Sequence, residues 1–328
     1  MGAKTSFDGQ TVLLSSFRNE APFVLEFVAH HKALGFDQIV IASNDCTDGT
    51  TEILAALAGI GVIHHLPCAP PPKVTPQHFA YAQARKALAV DQAGWLMILD
   101  ADELLNVHVG AGQVSDLIAA QHRDTDLVLI NWACFGSGGQ QTWVNHPSSQ
   151  RFTQRLGTLS GPGLVKSLIR QPKDWARFSN HHPFGFAGPG PLHIAFAGGL
   201  WQEKIAASGL VFGTYRTVKP RAGTFRIAQI NHYITRTEDS FDQRRARGRG
   251  AALSGKSNDR HTDDYFARMS QGRFEDDTIL RYAGKVAALT AEYLSFAPVA
   301  QAVAAGLRHY EAEIARYWQG RSALARNL

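Results

Sequence analysis

Three acidic residues follow an apolar run in the first half of the chain. The run Trp95–Leu99 (WLMIL) leads directly into Asp100, Asp102 and Glu103. In an extended segment, residues two apart point to the same side, so we expect Asp100 and Asp102 to face one ligand. Carboxylate oxygens suit Mg²⁺ or Mn²⁺, and these ions bridge the phosphates of a nucleotide. The alternative is that the acids cap the next element or lie solvated in a turn.

Polar clusters also follow two earlier apolar runs. Ser16 and Arg18 stand at the end of the run that begins at Thr11, and Asn44 and Asp45 follow the run 38–42. Asn and Asp side chains accept hydrogen bonds from ribose hydroxyls or a base edge, and they also form turns, so both interpretations are open. If the three runs are strands of one sheet, their polar ends meet at the edge where such sheets bind ligands.

The first 132 residues have the pattern of a sheet that would position these clusters. Short apolar runs alternate with segments of helical spacing, which indicates an α/β fold with a mostly parallel sheet and helices on both faces. The predicted elements are strands 11–17, 38–42, 61–66, 95–99 and 127–132, and helices 21–34, 50–58 and 77–89. Gly and Pro punctuate the following residues up to a returning strand at 224–233. From Asp276 the chain is amphipathic and helical, with a break near Pro298.

Composition excludes several classes of protein. The chain has 328 residues, of which 45% are hydrophobic and 19% are charged, so it is neither disordered nor fibrous. Its net charge of +5 permits an anionic partner, such as a phosphate-bearing ligand, a nucleic acid or a membrane surface. The cysteines, Cys46, Cys68 and Cys134, form no CxxC pair, which favours a reducing compartment. No early apolar run has the length of a signal peptide or a membrane span, so we expect a cytoplasmic protein.

Six blocks of the sequence resemble a known family in their order along the chain. FRNEAPFVLEFVAHHKALGFDQIVIASNDCTDGT followed by WLMILDADELL is similar to the family 2-like glycosyltransferases, and more narrowly to the branch related to family 92, with its DxDE motif. The further blocks are Asn131–Gly139, Val165–Arg170, His181–Pro183 and Ile230–Gly248. Together they span roughly residues 11 to 250, and the ordered set is far more specific than any one block.

The resemblance implies a GT-A fold and a transferase that moves a sugar from a nucleoside-diphosphate sugar to an acceptor hydroxyl with inversion. The implied donor is a UDP-sugar first of all, and the implied acceptor is a glycan or a lipid-linked sugar in polysaccharide synthesis. The implied cofactor is Mn²⁺ or Mg²⁺, held by Asp100, Asp102 and His232. The residues implied to bind the nucleotide are Ser16, Arg18, Asn44 and Asp45. The residues implied to make further phosphate or sugar contacts are Lys166, His182, Arg244 and Arg247.

Some roles and two rival functions stay open. Glu103 is the candidate for the catalytic base, but it could instead orient a metal ligand, and His232 could be a packed histidine at a strand end. The arginine run 244–249 could be a solvated helix face, a phosphate contact or a contact to anionic lipid at the inner face of a membrane. The chain could be an inactive nucleotide-sugar-binding protein or a metal-dependent nucleotidyltransferase, although no Gly-rich, Lys-bearing phosphate loop follows the first strand. No motif supports a nucleic-acid partner.

The expected organisation follows from the same resemblance. A GT-A-like catalytic domain covers residues 1–275, and a helical extension that packs on it covers 276–328. Within the domain, the nucleotide-binding half covers about 1–132 and the acceptor-side half about 133–275. The second half is loop-rich, as expected for the side that meets variable acceptors.

Overall fold

Strands and helices alternate through the first half of the chain in the computed structural model, which describes residues 7–158, 163–196, 201–205, 223–247 and 261–325. The helices are α1 (Val24–Ala33), α2 (Thr50–Gly59), α3 (Pro76–Leu88), α4 (Val114–Ala119), α5 (Ser148–Arg151), α6 (Glu238–Arg247), α7 (Asp263–Met269), α8 (Ala283–Leu294) and α9 (Ala297–Ala325). The first seven strands are β1 (Thr11–Phe17), β2 (Gln38–Ser43), β3 (His64–Pro67), β4 (Trp95–Ile98), β5 (Glu103–Val107), β6 (Leu127–Cys134) and β7 (Gln154–Arg155). The remaining strands are β8 (Val165–Arg170), β9 (Trp175–Arg177), β10 (Phe184–Phe186), β11 (Leu192–Phe196), β12 (Trp201–Ile205), β13 (Ala228–His232) and β14 (Phe274–Glu275).

Ten of these strands form one sheet. Its order is β12-β11-β6-β8-β4-β1-β2-β3, and β13 joins it by pairing with both β6 and β5. Neighbours β4, β1, β2 and β3 run parallel, whereas β8 runs antiparallel between β4 and β6. The N-terminal end of β8 therefore lies at the same edge as the carboxyl ends of β4 and β6. The predicted α/β class with a mostly parallel sheet flanked by helices is confirmed.

Burial explains why the apolar runs predicted several strands closely. All eight residues of β6 are buried, and β1 has only two partly exposed positions. Strands covered on both faces read as continuous apolar runs instead of alternating ones. One face packs against α1, α2 and the C-terminal helices, and the other packs against α3 and the β9–β10 hairpin. The sheet thus lies between two apolar layers.

The later strands differ more from the prediction. Strands β5 and β8 were not expected, and the returning strand is shorter than predicted, since only 228–232 pair. The third strand begins at His64, three residues later than predicted. Strand β5 was not expected because its first residue, Glu103, follows two other acids, and such a cluster is typical of a turn. The four residues of β5 after Glu103 are all buried.

The helical C-terminal region is confirmed. Helices α8 and α9 are separated by Ser295 and Phe296, and Pro298 lies in the first turn of α9, where its missing N–H costs no helical hydrogen bond. No single helix among the described residues is long and apolar enough to span a membrane. Residues 278–294 and 297–322 pass that length and composition test only as a pair, which is bent by 105°.

Candidate active site

The segment Asp100–Glu103 forms a tight turn after β4. The Glu103 amide donates to the Asp100 carbonyl at 3.0 Å, and β5 begins at Glu103. The extended conformation predicted for this segment is therefore wrong, because the chain must leave the line of β4 for β5 to pair with β13. A turn aims Asp100 and Asp102 at different neighbours, so the two acids do not share a partner.

Asp100 and Glu103 share the ammonium of Lys166. Lys166 Nζ is fully buried and lies 2.8 Å from Asp100 Oδ2 and 2.8 Å from Glu103 Oε2. Antiparallel strand β8 places it there, and Gln77 in the first turn of α3 donates to Asp100 Oδ1 at 2.7 Å. Burial opposes the charge on Lys166, but the two carboxylates raise its pKa. Burial raises the pKa of Glu103 well above its ordinary value, in spite of the ammonium beside it.

Asp102 faces the opposite way, toward two basic side chains. Its Oδ2 atom lies 3.0 Å from His232 Nε2 and 2.6 Å from Arg244. The end of β13 brings in His232, whose ring also packs on Trp132 at 3.9 Å between centroids, and α6 brings in Arg244. Burial acts against the charge on Asp102, but Arg244 and His232 hold its pKa well below the usual range. Burial lowers the pKa of His232, so a carboxylate faces a neutral imidazole.

The pair of Asp102 and His232 is the part of the predicted metal site whose chemistry fits a divalent ion. Metal binding needs an ionised carboxylate and a neutral imidazole, and the lowered pKa values of Asp102 and His232 favour these states. The His232 Nδ1 atom is buried and has no hydrogen-bond partner in the described structure. Asp100 is bound to Lys166 and Gln77, and no group of three or more His, Cys, Asp or Glu side chains converges among the described residues. Beside these two side chains, a bound phosphate or water could supply further ligands.

A cavity of about 330 Å³ opens beside Arg244. The turns after β1 and β2, the segment from β13 into α6, and one side of α9 form its walls. We call it the arginine cavity, because four arginines line it: Arg18, Arg236, Arg244 and Arg247. The Nε atoms of Arg18, Arg236 and Arg244 are buried and have no hydrogen-bond partner in the described structure. These unpaired donors need an acceptor that none of the described residues supplies.

Acidic side chains compensate only part of this positive charge. Glu20 pairs with Arg247 and lies 3.6 Å from Arg236. Arg247 also donates to the carbonyls of Arg18 and Asn19, at 2.8 and 2.9 Å. Two further acids on the wall have other partners: Asp48 accepts from Thr50 and Ala21, and Glu313 pairs with Arg316. Among the described residues, Arg18 has no carboxylate partner, so the cavity suits an anion.

Helix α9 forms one wall of the arginine cavity and holds α6 in place. Tyr310 lines the cavity and packs edge-on against Phe23 at 6.0 Å between ring centroids. Trp318 Nε1 donates to Asp239 at 3.1 Å, and the Tyr317 hydroxyl donates to Glu238 at 3.1 Å. The C-terminal region thus contributes to the site, which its amphipathic pattern alone did not indicate.

The other predicted residues are distributed around this edge. Ser16 is half-buried at the end of β1, and Asn44 is buried after β2, where its side chain donates to Asp45 Oδ2 at 3.0 Å. Asp45 is exposed and has a φ of 49°, which fits a turn residue. These three residues lie outside the described lining of the arginine cavity. His182 is buried, and its ring packs on Phe184 at 4.5 Å between centroids.

Arg236 and Gln77 are the residues that the sequence analysis missed. Arg236 is buried and its guanidinium lies 3.4 Å from the centre of the Phe23 ring, in the same cavity as Arg18. Only its position three residues after Tyr233, inside the matching block Ile230–Gly248, could have pointed to it. Gln77 gave no signal, because a lone Gln in the first turn of a helix is common. Of the predicted arginine run, Arg249 lies outside the described residues.

Comparisons with known proteins show distant structural likeness. No protein-family model and no curated protein sequence matches the chain. The chain is similar to the crystal structure of S. aureus TarS 1-349 in complex with UDP, at 15% identity and a TM-score of 0.33, over 49% of this chain and 47% of that chain. The S. aureus TarS 1-349 structure is matched over 95% of this chain and 92% of that chain, at 14% identity and a TM-score of 0.35. HddC from Yersinia pseudotuberculosis is matched over 52% of this chain and 82% of that chain, at 11% identity and a TM-score of 0.31.

Proposed function

We propose that this protein is a glycosyltransferase that uses a nucleoside-diphosphate sugar, a UDP-sugar first of all, and transfers the sugar to an acceptor hydroxyl. The observation that carries the proposal is the arginine cavity, where three buried arginine N–H groups lack partners beside an ionised Asp102. A diphosphate supplies the oxygens that these donors need, in charge-assisted hydrogen bonds. The ordered sequence blocks from residue 11 to 250 support the same reaction.

We propose further that Mn²⁺ or Mg²⁺ binds at Asp102 and His232. Such an ion would neutralise charge that grows on the leaving diphosphate. Trp132 fixes the plane of the imidazole, and Arg244 holds the carboxylate in the absence of ligand. When a diphosphate enters, Arg244 exchanges Asp102 for phosphate oxygen, and its unpaired Nε–H gains a partner. Asp100 keeps 23% of its side chain exposed and accepts from a hydroxyl of the bound donor.

Glu103 is a positioning residue in this proposal. Its carboxyl is fully buried, so an acceptor hydroxyl does not reach it. It accepts from the Asp100 amide at 2.8 Å and contacts Lys166, and these two contacts fix the turn that separates Asp100 from Asp102. The role of catalytic base therefore belongs to another group, and Glu103 acts by holding the two aspartates apart.

The first experiment is a calorimetric titration of Asp102→Asn with UDP in the presence of Mn²⁺. This variant keeps the shape of the side chain but loses the charge that faces His232 and Arg244. We expect UDP binding to weaken by at least tenfold, about the effect of one lost charge-assisted contact. Asp264→Asn, an exposed change on α7, is the control. Unchanged Mn²⁺-dependent binding in Asp102→Asn would contradict the metal assignment. A wild-type protein that binds no nucleoside diphosphate would contradict the proposed function.

The second experiment identifies the products. A glycosyltransferase releases a nucleoside diphosphate from the donor, whereas a nucleotidyltransferase releases pyrophosphate. We therefore expect UDP, and no pyrophosphate, when wild-type protein is incubated with UDP-sugars and Mn²⁺. Donor turnover that is absent with every tested acceptor, alongside intact UDP binding, would instead identify an inactive sugar-nucleotide-binding protein.

A further inference from the structure

A second cavity, of about 260 Å³, lies on the Asp100 side of the turn. It opens between α3 and the β9–β10 hairpin, and α3 is the helix whose Gln77 contacts Asp100. Its aromatic walls are Tyr81, Phe178 and Phe184. We call it the aromatic cavity. The arginine cavity, in contrast, lies on the Asp102 side, where Arg244 contacts that carboxylate.

Tyr81 on α3 lines this cavity and carries one polar group, its hydroxyl. Tyr81 is 1% exposed, and its hydroxyl is buried with no hydrogen-bond partner in the described structure. Burial, together with the charges of Asp100 and Glu103, raises its pKa well above the ordinary value, so the group stays an O–H donor. Leaving a buried hydroxyl unpaired costs free energy, and a small displacement of Tyr81 that brings the hydroxyl to the cavity wall would let a ligand oxygen recover it.

Two arginines and no acid stand among the described residues of the remaining walls. Arg85 is held by Asp91 at 3.1 Å and by the carbonyls of Trp175 and Ala176, at 2.8 and 2.9 Å. Arg177 lies over the Phe184 ring at 4.5 Å. None of the described lining residues is a carboxylate. Flat aromatic faces with polar groups at the rim match a pyranose ring, which has an apolar C–H face and a rim of hydroxyls.

We propose that the aromatic cavity binds a pyranose ring of the acceptor. The inference rests on the proposed function and deepens it. In an inverting transfer, the acceptor oxygen forms the new bond to the anomeric carbon while the bonding pair leaves with the diphosphate, and the acceptor proton passes to water. The acceptor must therefore approach from the side opposite the diphosphate. Arg244 of the arginine cavity contacts Asp102, and α3, which lines the aromatic cavity, contacts Asp100 through Gln77. The two cavities are thus connected to different aspartates of one turn, which fits an acceptor that approaches from a side other than that of the diphosphate.

The test measures pyranoside binding directly. Saturation-transfer NMR is recorded for the methyl β-glycosides of glucose, galactose and N-acetylglucosamine, with and without UDP and Mn²⁺. We expect contacts to the ring C–H protons of at least one glycoside in wild type, and their loss in Phe184→Ala. Phe274→Ala, which removes an aromatic ring that is 55% exposed elsewhere, should keep them. Absence of binding by all three glycosides in wild type would overturn the proposal, as would unchanged contacts in Phe184→Ala.

Tyr81→Phe guards against a loss that reflects misfolding. The change removes only the unpaired hydroxyl, so the melting temperature should stay the same or rise. We expect glycoside affinity to fall about fivefold, the usual effect of one hydrogen bond, with UDP affinity unchanged. Equal glycoside affinity in wild type and Tyr81→Phe would contradict the role of this hydroxyl and overturn the inference. Glycoside binding in a protein that binds no UDP would instead refute the donor assignment alone, since the two ligands are titrated separately.

Discussion

The arginine cavity and the aromatic cavity are connected to different aspartates of one turn, and they differ in which polar groups lack partners among the described residues. In the arginine cavity, buried N–H groups of three arginines lack acceptors, and Arg18 lacks a counter-ion among the described residues. In the aromatic cavity, Arg85 is fixed by an aspartate and two carbonyls, and the unpaired group is a neutral hydroxyl. The difference indicates that the first cavity suits an anion, whereas the aromatic faces of the second suit a ring-shaped ligand.

Lys166→Met should impair both cavities, because both depend on the same turn. The change leaves Asp100 and Glu103 together at a buried position without their shared cation. Removing one partner of a buried ion pair costs about 3–5 kcal/mol, so we expect a loss of that size in the free energy of unfolding by urea. Lys173→Met, at an exposed position, should change it by less than about 0.5 kcal/mol. A Lys166→Met protein as stable as wild type would show that the turn does not need the ammonium.

Measurements over a range of pH distinguish loss of ligand binding in the cavities from loss of stability in the core around His30. His30 is buried against Tyr282 and lies 2.7 Å from the Leu105 carbonyl, and burial lowers its pKa from 6.5 to about 4. Because the folded pKa is below the unfolded one, the stability linked to this group is complete above about pH 6.5 and is lost as the pH falls toward 4. We expect a fall of roughly 3 kcal/mol over that range, at about 1.4 kcal/mol per pH unit.

The measurement is urea unfolding at a series of pH values, for wild type and His30→Gln. The amide keeps a donor for the Leu105 carbonyl but does not titrate, so its curve should be flatter below pH 6.5. Two parallel curves would show that His30 does not report the acid sensitivity of the core. Losses of UDP binding at a pH where the core remains stable then belong to the arginine cavity itself.

Arg18→Gln should weaken ligand binding in the arginine cavity and leave the aromatic cavity unchanged. Arg18 has no carboxylate partner among the described residues, so its loss should leave the melting temperature unchanged. We expect UDP affinity to fall about tenfold, because one charge-assisted contact to phosphate is lost. Glycoside binding in the aromatic cavity should not change. Arg308→Gln, at an exposed position on α9, is the control, and a similar loss of UDP affinity in both variants would count against a specific phosphate contact.

Trp318→Phe should give the smallest effect. It removes the hydrogen bond to Asp239 that ties α9 to the start of α6, while the aromatic ring is retained in smaller form. We expect a loss of about 1 kcal/mol in the free energy of unfolding and two- to threefold weaker UDP binding, since Arg244 and Arg247 are less firmly placed. Calorimetry checks both ligands, and glycoside affinity should stay constant. An equal loss for UDP and glycoside would mean that α9 supports the whole domain and has no particular connection with α6.

The sequence predicted the first half of the fold more closely than the second. Strands β1 and β2 and helix α2 agree with their predicted bounds to within one residue, because doubly buried strands and an apolar helix have unmistakable patterns. Strand β8 was missed because Lys166 interrupts its apolar run, although that lysine is as buried as its neighbours. A buried charge looks like a surface residue until its partners are known.

The α/β class, the positions of the early strands and the polar clusters at their ends could be predicted from the sequence, since these features depend on residues close together in the chain. Only the tertiary structure decided which charges meet. Asp100 and Lys166 are 66 residues apart, and Asp102 and His232 are 130 apart. No local pattern encodes such pairs, because they depend on strands β8 and β13 entering the sheet beside β4 and β6. The same long-range packing decided that the DxD segment is a turn.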